Sequence, residues 1–337
     1  MKNKRINIAL LGGGYSGEYQ VSLRSMETIY TELSKNTAYT LHKLIINKDG
    51  WFHIDEENNY SVIDKNDFSI TLNQEKIHFD LVFIIIHGSP GEDGKLQSYF
   101  ELLEIPFTTC NSISSALTFN KFYCNQVVKN ANIVGVANSV TLNKSQAYSL
   151  GAIMEELQLP VFVKPNESGS SLGISKVNKP EELLNAIDYA FKEDDLVIIE
   201  EFIEGLELTM GAYIYNNEIV TLPATEIIPK NEFFDFEAKY TPGVTNEITP
   251  ARISDDLHLR LSNITQGIYK VLNCSGIVRM DYIYNQSEDK IYFLEVNTVP
   301  GQSKESLIPQ QVKAAGLSLE EFYSNIVEEA IKINKII

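Results

Sequence analysis

Short apolar runs alternate with amphipathic stretches along the first third of the chain. Ile6 to Leu11 forms an apolar run interrupted by Asn7, ends in Gly12-Gly13-Gly14, and gives way to a helical pattern from about Glu18 to Leu33. Further apolar segments lie around Leu41 to Ile46 and at Asp80 to Ile86, separated by helical or turn-rich stretches. This is the βα rhythm of an open parallel sheet. The third segment runs into His87-Gly88-Ser89-Pro90-Gly91-Glu92-Asp93-Gly94, a loop at the carboxyl end of a strand, where open α/β sheets bind ligands. A helix from Leu96 to Leu103 follows.

From about Cys110 the pattern changes. A helix carrying Ser114, Ala116, Lys121 and Val127 leads to short strands around a Gly/Ser-rich turn between Val161 and Ile174. Strands on both sides of such a turn predict a hairpin rather than a strand-to-helix phosphate loop. A helix is expected around Pro180 to Phe191, then a strand from Leu196 to Ile199 leading into Glu200-Glu201-Phe202-Ile203-Glu204-Gly205-Leu206-Glu207. A mainly β region continues to a hairpin near the C-terminus, and Leu317 to Ile337 reads as an amphipathic helix. No internal repeat or low-complexity tract interrupts the chain.

The late hairpin concentrates charge. In Gly276 to Tyr284 the residues Ile277, Arg279, Asp281 and Ile283 share one face, and on the returning strand Phe293, Glu295 and Asn297 are expected to share one face. With the turn at Asn285 to Lys290, Asp281 lies about opposite Glu295. Like charges across an antiparallel pair repel, so the pair either sits in water or holds something positive between its members. Magnesium suits two carboxylates and an amide, because it completes its shell with water and substrate phosphate. For an isolated Asp/Glu pair a solvated hairpin is the simpler reading, and only the rest of the chain decides between them.

Composition narrows the partners. The chain has 337 residues, 44% hydrophobic and 22% charged, long enough for two or three domains. A formal charge of -17 argues against nucleic acid or an anionic membrane as the main partner, while leaving room for a local basic pocket. Cys110, Cys124 and Cys274 have neither metal-ligand nor CxxC spacing and read as free thiols in a reducing compartment. The first apolar run is too short for a signal peptide, and no stretch reaches the roughly 18 apolar residues of a membrane helix. A cytoplasmic protein is therefore expected.

Several segments carry candidate chemistry, each with a plain alternative. Gly12 to Gly14 does not supply GxGxxG, and Glu18 could be no more than a first-turn acid that favours the helix dipole. Lys164 followed by Ser168-Gly169-Ser170-Ser171 offers an ammonium, hydroxyls and approachable backbone N–H groups to phosphates, or is a surface turn. No Walker pattern is present, so a nucleotide would bind by another architecture. Glu200 to Ile203 could border an adenine slot, with Glu207 accepting from a ribose, or form an exposed acidic loop. Phe233 to Tyr240 and the following Thr241-Pro242-Gly243 read as a lid over a site or as aromatic core.

In order and spacing these segments resemble the D-alanine–D-alanine ligase family of the ATP-grasp superfamily over nearly the whole chain. The resemblance rests on Gly12-Gly13-x-x-Ser16-x-Glu18 with Val21-Ser22-Leu23, and on His87-Gly88 to Gly94 with Leu96-Gln97. It rests equally on Lys164-Pro165 with Gly169-Ser170-Ser171 and Gly173-Ile174-Ser175-Lys176-Val177, on Glu237-Ala238-Lys239-Tyr240, and on Glu295 to Gly301 with Ser306-Leu307 and Pro309.

The resemblance implies an α/β fold: an N-terminal open parallel α/β sheet domain (1–109), then a central ATP-grasp domain (110–203) and a C-terminal one (204–337) that together clamp the nucleotide. It implies that ATP phosphorylates one D-alanine and the amine of a second attacks the acyl phosphate, for peptidoglycan precursor synthesis. On this resemblance Asp281, Glu295 and Asn297 hold two Mg2+ (or Mn2+), and Lys121, Lys164 and Lys239 contact phosphates, with Ser171, Glu200, Glu201, Phe202, Ile203 and Glu207 completing the ATP site. Arg279 and the Gly301 N–H stabilise the oxyanion. Glu18 holds the first D-alanine's ammonium with His87 nearby, and Ser306 and Leu307 seat the second substrate. Ser170 and Tyr240 join Glu18 in a bridge that closes the lid. A tyrosine at position 240 accompanies D-alanine as second substrate, where phenylalanine accompanies D-lactate. A homodimer is implied, with no nucleic-acid or membrane partner.

Three positions depart from the pattern: Thr109-Cys110 where Thr-Gly is usual, Asn120 in place of an aspartate, and Asn125 where a second lysine often stands. The alternatives are an ATP-grasp ligase with D-serine or D-lactate as second substrate, and an inactive nucleotide-binding relative. The last is expected to have lost a metal ligand or the arginine, and this chain keeps Asp281, Glu295, Asn297 and Arg279.

Overall fold

Strand β1 (Ile6–Gly13) lies between two parallel neighbours, β2 (Tyr39–Asn47) and the later β7 (Leu81–Ile84), and its residues from Ile8 to Leu11 are fully buried. Alternate side chains feed two cores. Ile8 and Leu10 pack with Met26, Ile29 and Leu33 of α1 (Tyr19–Leu33), whereas Ala9 and Leu11 pack with Leu44, Ile46 and Phe100 on the other face. The structure is a computed structural model and describes residues 5–167, 169, 172–229 and 245–334.

The first sheet is parallel only in part. Its order is β4-β3-β2-β1-β7, and β3 (Gly50–Ile54) and β4 (Tyr60–Val62) extend it antiparallel. The link from β2 to β3 is too short for a crossover, so the chain must turn back as a hairpin. A small separate hairpin, β5 (Ile70–Leu72) and β6 (Glu75–Ile77), precedes β7, and α2 (Lys95–Leu102) follows the His87 loop.

The single helix expected across Ser114 to Val127 is two helices, α3 (Ser112–Phe119) and α4 (Lys121–Ala131). Asn120 breaks it. Its backbone is extended (φ -84°, ψ 100°), and its side chain accepts from the Tyr123 N–H as an N-cap, as Asn111 accepts from the Ser114 N–H. A short strand β8 (Gly135–Val136) then leads to the second sheet. That sheet has order β11-β10-β12-β9 and is antiparallel: β9 (Ser139–Asn143), β10 (Val161–Pro165), β11 (Ser175–Val177) and β12 (Leu196–Glu201). The Gly/Ser turn does join two hairpin strands, β10 and β11. Helices α5 (Leu150–Glu156) and α6 (Leu183–Ala190) cover one face through Ile153, Leu183 and Ile187.

The third sheet contains β13 (Leu206–Tyr215), β14 (Glu218–Thr221), β15 (Thr225–Pro229), β16 (Thr245–Ile248), β17 (Val278–Asn285) and β18 (Lys290–Asn297), with β8 added parallel to β18. The strands β13 to β16 of the region before the hairpin are followed by a helix that was not expected, α7 (Asp255–Val271), of 17 residues. Its start is written in the sequence: Ser254 accepts from the Leu257 N–H, and Asp255 and Asp256 occupy the first turn. After α8 (Leu307–Ala314), the expected terminal helix α9 (Leu319–Asn334) packs Phe322, Tyr323 and Ile326 into the core that also holds Ile8 and Ile29. The first and third sheets are thereby joined through one apolar core. Among the described residues no helix is long and apolar enough to cross a membrane.

Candidate active site

The late hairpin pairs Asp281 with Glu295 and Arg279 with Asn297, but a bulge between Asp281 and Tyr282 makes Leu294 an extra residue. Phe293 therefore does not share the face of Glu295 as period-two alternation predicts. It is buried beside Tyr282, ring centroids 6.1 Å apart, while Glu295 and Asn297 stay on the half-buried face of Asp281. Without the extra residue Asp281 would face Leu294, and the two carboxylates would not meet.

Both acids have positive partners. Arg279 donates to Asp281 through Nε (3.0 Å) and Nη2 (2.8 Å), Thr209 Oγ1 donates to Oδ1 at 2.5 Å, and Asn297 Nδ2 lies 3.3 Å from Oδ2. Lys121 Nζ stands 3.7 Å from Glu295. Burial would lower the pKa of Arg279, but Asp281, Glu295 and Glu92 more than offset it and hold the guanidinium charged. Among the described residues no three His, Cys, Asp or Glu side chains are grouped for a metal. The donor set is thus two carboxylates and one amide, which fits a hard cation that takes its remaining oxygens from water and phosphate. Asn297 now turns its NH2 toward Asp281, so it would have to present its amide oxygen instead.

The lysines converge from the second sheet and α4. Lys164 Nζ pairs with buried Glu200 at 2.7 Å, and Asn125 Nδ2 donates to the other Glu200 oxygen at 2.8 Å. Burial would lower Lys164, but Glu200, Glu295 and Glu207 together raise it. Asn125, the departure from lysine, therefore satisfies a buried carboxylate that Lys164 alone would leave half-paired. The start of α4 is tied to the turn after β10: the Lys121 N–H donates to Asn166 O and the Phe122 N–H to Asn166 Oδ1. Asn120 reaches the same turn, donating to Glu167 at 2.7 Å.

The carboxylate of Glu201 is held by Asn138 Nδ2 and the Gln158 N–H, both at 3.0 Å, and its own N–H donates to Asn138 O at 3.0 Å. Phe202 lies 5.9 Å from Phe162, and the Lys176 ammonium sits 4.1 Å above the Phe202 ring. Phe202, Ile203 and Glu207 are half-buried beside Lys164's strand pair. Ser170, Ser171, Lys239 and Tyr240 lie outside the described residues, as does the expected lid from Phe233 to Gly243.

The other end of the site is built by the first sheet. Gly14 has φ +106° and packs against Ile86, which turns the chain so that Ser16 Oγ donates to His87 O and accepts from the Glu18 N–H. Glu18 ends that turn as the N-cap of α1. The Gly/Ser turn arrives beside it, since a Cβ on Gly169 would come within 3.3 Å of Glu18 Oε2. His87 is buried and its Nδ1 lies 2.7 Å from Val299 O. A carbonyl only accepts, so Nδ1 carries the proton, and Nε2 is left as an acceptor without a partner among the described residues. Burial lowers the His87 pKa more than Glu18 and Val299 raise it, which keeps the ring neutral.

Beyond Val299 the chain reaches Gly301, whose added Cβ would meet Ser306 Oγ at 2.9 Å. Ser306 stands at the N-cap position of α8 without a side-chain cap bond, Leu307 is its first residue, and Ser303 Oγ lies 2.9 Å from Ser306 Oγ. Three residues of this site had no reading in the sequence. Thr209 looks like any β-branched strand residue, Gln311 lies within a helix, and Glu92 looks like a turn acid. Gln311 accepts from the Gly211 N–H and donates to Thr209 O and Thr225 Oγ1, bracing the strand that carries Thr209.

An open α/β sheet, two largely antiparallel sheets and lysines facing a carboxylate hairpin define an ATP-grasp ligase. The family is shown by the sequence: the D-ala D-ala ligase N-terminus model matches residues 7–110 and the D-ala D-ala ligase C-terminus model residues 128–328, and the chain belongs to this family. A D-alanine--D-alanine ligase of Flavobacterium johnsoniae is 48% identical over 322 residues, covering 96% of this chain and 98% of that protein. Among solved structures, the VanG D-Ala:D-Ser ligase of Enterococcus faecalis superposes with TM-score 0.85 at 33% identity, covering 97% of this chain and 99% of that one. The D-alanyl-alanine synthetase A of Vibrio cholerae gives 0.87 at 26% identity over the same shares.

Proposed function

We propose that this chain is an ADP-forming ligase that joins two D-alanines into D-alanyl-D-alanine, in the cytoplasm, for peptidoglycan precursors, and that it acts as a homodimer. The single observation that carries the reading is the convergence of Glu18, His87, Arg279 and the Gly301 loop at one end of a hairpin whose other residues face Lys121 and Lys164. Full-length similarity to a D-alanine--D-alanine ligase supports the choice of substrate.

On this reading residues 1–109 receive the ammonium of the first D-alanine through Glu18 and His87, 204–337 supply the rest of the amino-acid site, and 110–203 and 204–337 close on ATP. Lys121, Lys164 and Lys239 neutralise phosphate charge, Ser171 adds a donor, and Glu200 to Ile203 with Glu207 border the base and ribose. Glu200 acts through Lys164, whose ammonium it holds in place. Asp281, Glu295 and Asn297 would hold magnesium, which neutralises phosphate charge during phosphoryl transfer.

Glu18 accepts from the ammonium of the first D-alanine, and neutral His87 Nε2 can accept a second N–H from a substrate. A carboxylate oxygen of the first D-alanine attacks the γ-phosphorus, the bond to the β–γ bridging oxygen breaks, and ADP leaves. The second D-alanine, seated by Ser306 and Leu307, attacks the acyl carbon as a free amine. Its displaced proton goes to solvent or departing phosphate. Arg279 and the Gly301 N–H stabilise the oxyanion that forms and collapses with loss of phosphate. Ser170, Tyr240 and Glu18 close the site against water, because hydrolysis would waste the acyl phosphate.

The reading is tested by mass spectrometry of the product from ATP, magnesium and D-alanine. The dipeptide should form in the wild type and fall by on the order of 10²-fold or more in Glu295→Gln, with thermal unfolding little changed. Wild-type-like turnover in that variant would show that the metal assignment is wrong.

A further inference from the structure

Glu92 holds together two loops that the chemistry needs in register. One carboxylate oxygen accepts the Gly88 N–H at 2.7 Å and the other accepts the Val299 N–H at 3.1 Å. The Val299 carbonyl is taken by His87 Nδ1 at 2.7 Å. Both backbone polar groups of Val299 are thus gripped from the loop that follows the first sheet's β7. Val299 lies midway between Asn297, the last residue of the carboxylate strand, and Gly301.

We propose that Glu92 is a positioning residue, which fixes the Val299 strap against the His87 loop and so sets where the Gly301 N–H stands relative to the first substrate. The role requires a carboxylate. Two backbone N–H groups converge on two oxygens, and a glutamine would turn its own NH2 against one of them. Glu92 is half-buried and crowded by protein atoms. Desolvation, then the Glu18 carboxylate, push it up to about 7, against the Gly88 and Val299 N–H groups and Arg279, which pull it down. The charged groups facing it are therefore Glu18 from the turn after β1 and Arg279 from β17. Protonation through that range adds an O–H where an N–H already points, so the strap should loosen as the pH falls below about 7.

This inference rests on the ligase reading. Steady-state ATP turnover with D-alanine is measured for wild type, Glu92→Gln and Glu92→Asp between pH 5.5 and 9. Glu92→Gln should lose kcat on the order of 10- to 100-fold, as misplacement of a reacting geometry does. The KM for ATP should stay near wild type, and the acid limb seen in the wild type should vanish. Glu92→Asp keeps the charge on a shorter arm, so it should keep the acid limb with an intermediate kcat, and it decides the matter if the glutamine variant fails to fold. Wild-type kcat in either variant, an unchanged acid limb in Glu92→Gln, or a parallel loss of ATP affinity and thermal stability would overturn the proposal. A wild type whose ATP turnover ignores D-alanine would instead sink the ligase reading.

Discussion

Arg279 clamps Asp281 two residues along the same strand, through Nε at 3.0 Å and Nη2 at 2.8 Å. The pair answers the charge problem that two facing acids raise, and on the proposed reading it holds the guanidinium at the oxyanion. A lysine cannot reproduce the fork. Arg279→Lys should lower kcat on the order of 10²- to 10³-fold, with the KM for ATP changed much less, in steady-state assays. Equal kcat in the two proteins would remove Arg279 from the chemistry.

Thr209 donates to Asp281 Oδ1 at 2.5 Å from a buried position on the neighbouring strand. Thr209→Val keeps the shape and removes the donor. The magnesium concentration for half-maximal activity should rise by about tenfold, the usual size of a lost partner behind a metal ligand. An unshifted titration would mean that Arg279 alone orients Asp281.

Gly301 has no room for a methyl group, since its Cβ would stand 2.9 Å from Ser306 Oγ. Ser306 is the end of a flexible side chain and can yield, so Gly301→Ala should fold. It should raise the KM for the second D-alanine several-fold more than the KM for ATP, as measured by separate substrate titrations. A variant with unchanged substrate KM values would place the second substrate away from Ser306.

His42 and His53 form a buried pair, ring centroids 5.8 Å apart, with Phe79 packed on His42 at 5.4 Å. His42 is lowered to about 4 by burial and then by His53; His53 is lowered by burial against a smaller opposing pull from Asp55. A folded-state pKa below the unfolded value of about 6.5 means that the unfolded chain binds more protons between those limits. Stability is therefore full above about 6.5 and falls as the pH drops toward 4. Urea midpoints across that range should slope less in His42→Leu than in the wild type. Equal slopes would assign the acid sensitivity to other groups.

Unbroken apolar runs revealed β1 and β7, which are buried on both faces, and periodicity revealed α1 and the facing strands of the hairpin, which keep one face in the core. It placed Phe293 with Glu295 because a bulge leaves no mark in a period-two pattern; Leu294 is as apolar as the strand residues around it. The pattern missed helix α7 and the break at Asn120, although the capping residues Ser254-Asp255-Asp256 and Asn120 mark both in the sequence. Charged site residues such as Glu18, Lys164 and Asp281 stood out by type. Thr209, Gln311 and Glu92 did not, since their work is hydrogen bonding to groups distant in the chain.

The most direct test of the ligase reading is phosphate release from ATP with D-alanine, L-alanine, D-serine and D-lactate, each alone and in pairs with D-alanine. The account predicts rapid release with D-alanine alone, none with L-alanine alone, and little added by D-serine or D-lactate. ATP turnover that is indifferent to D-alanine, or that needs D-serine or D-lactate beside it, would contradict it.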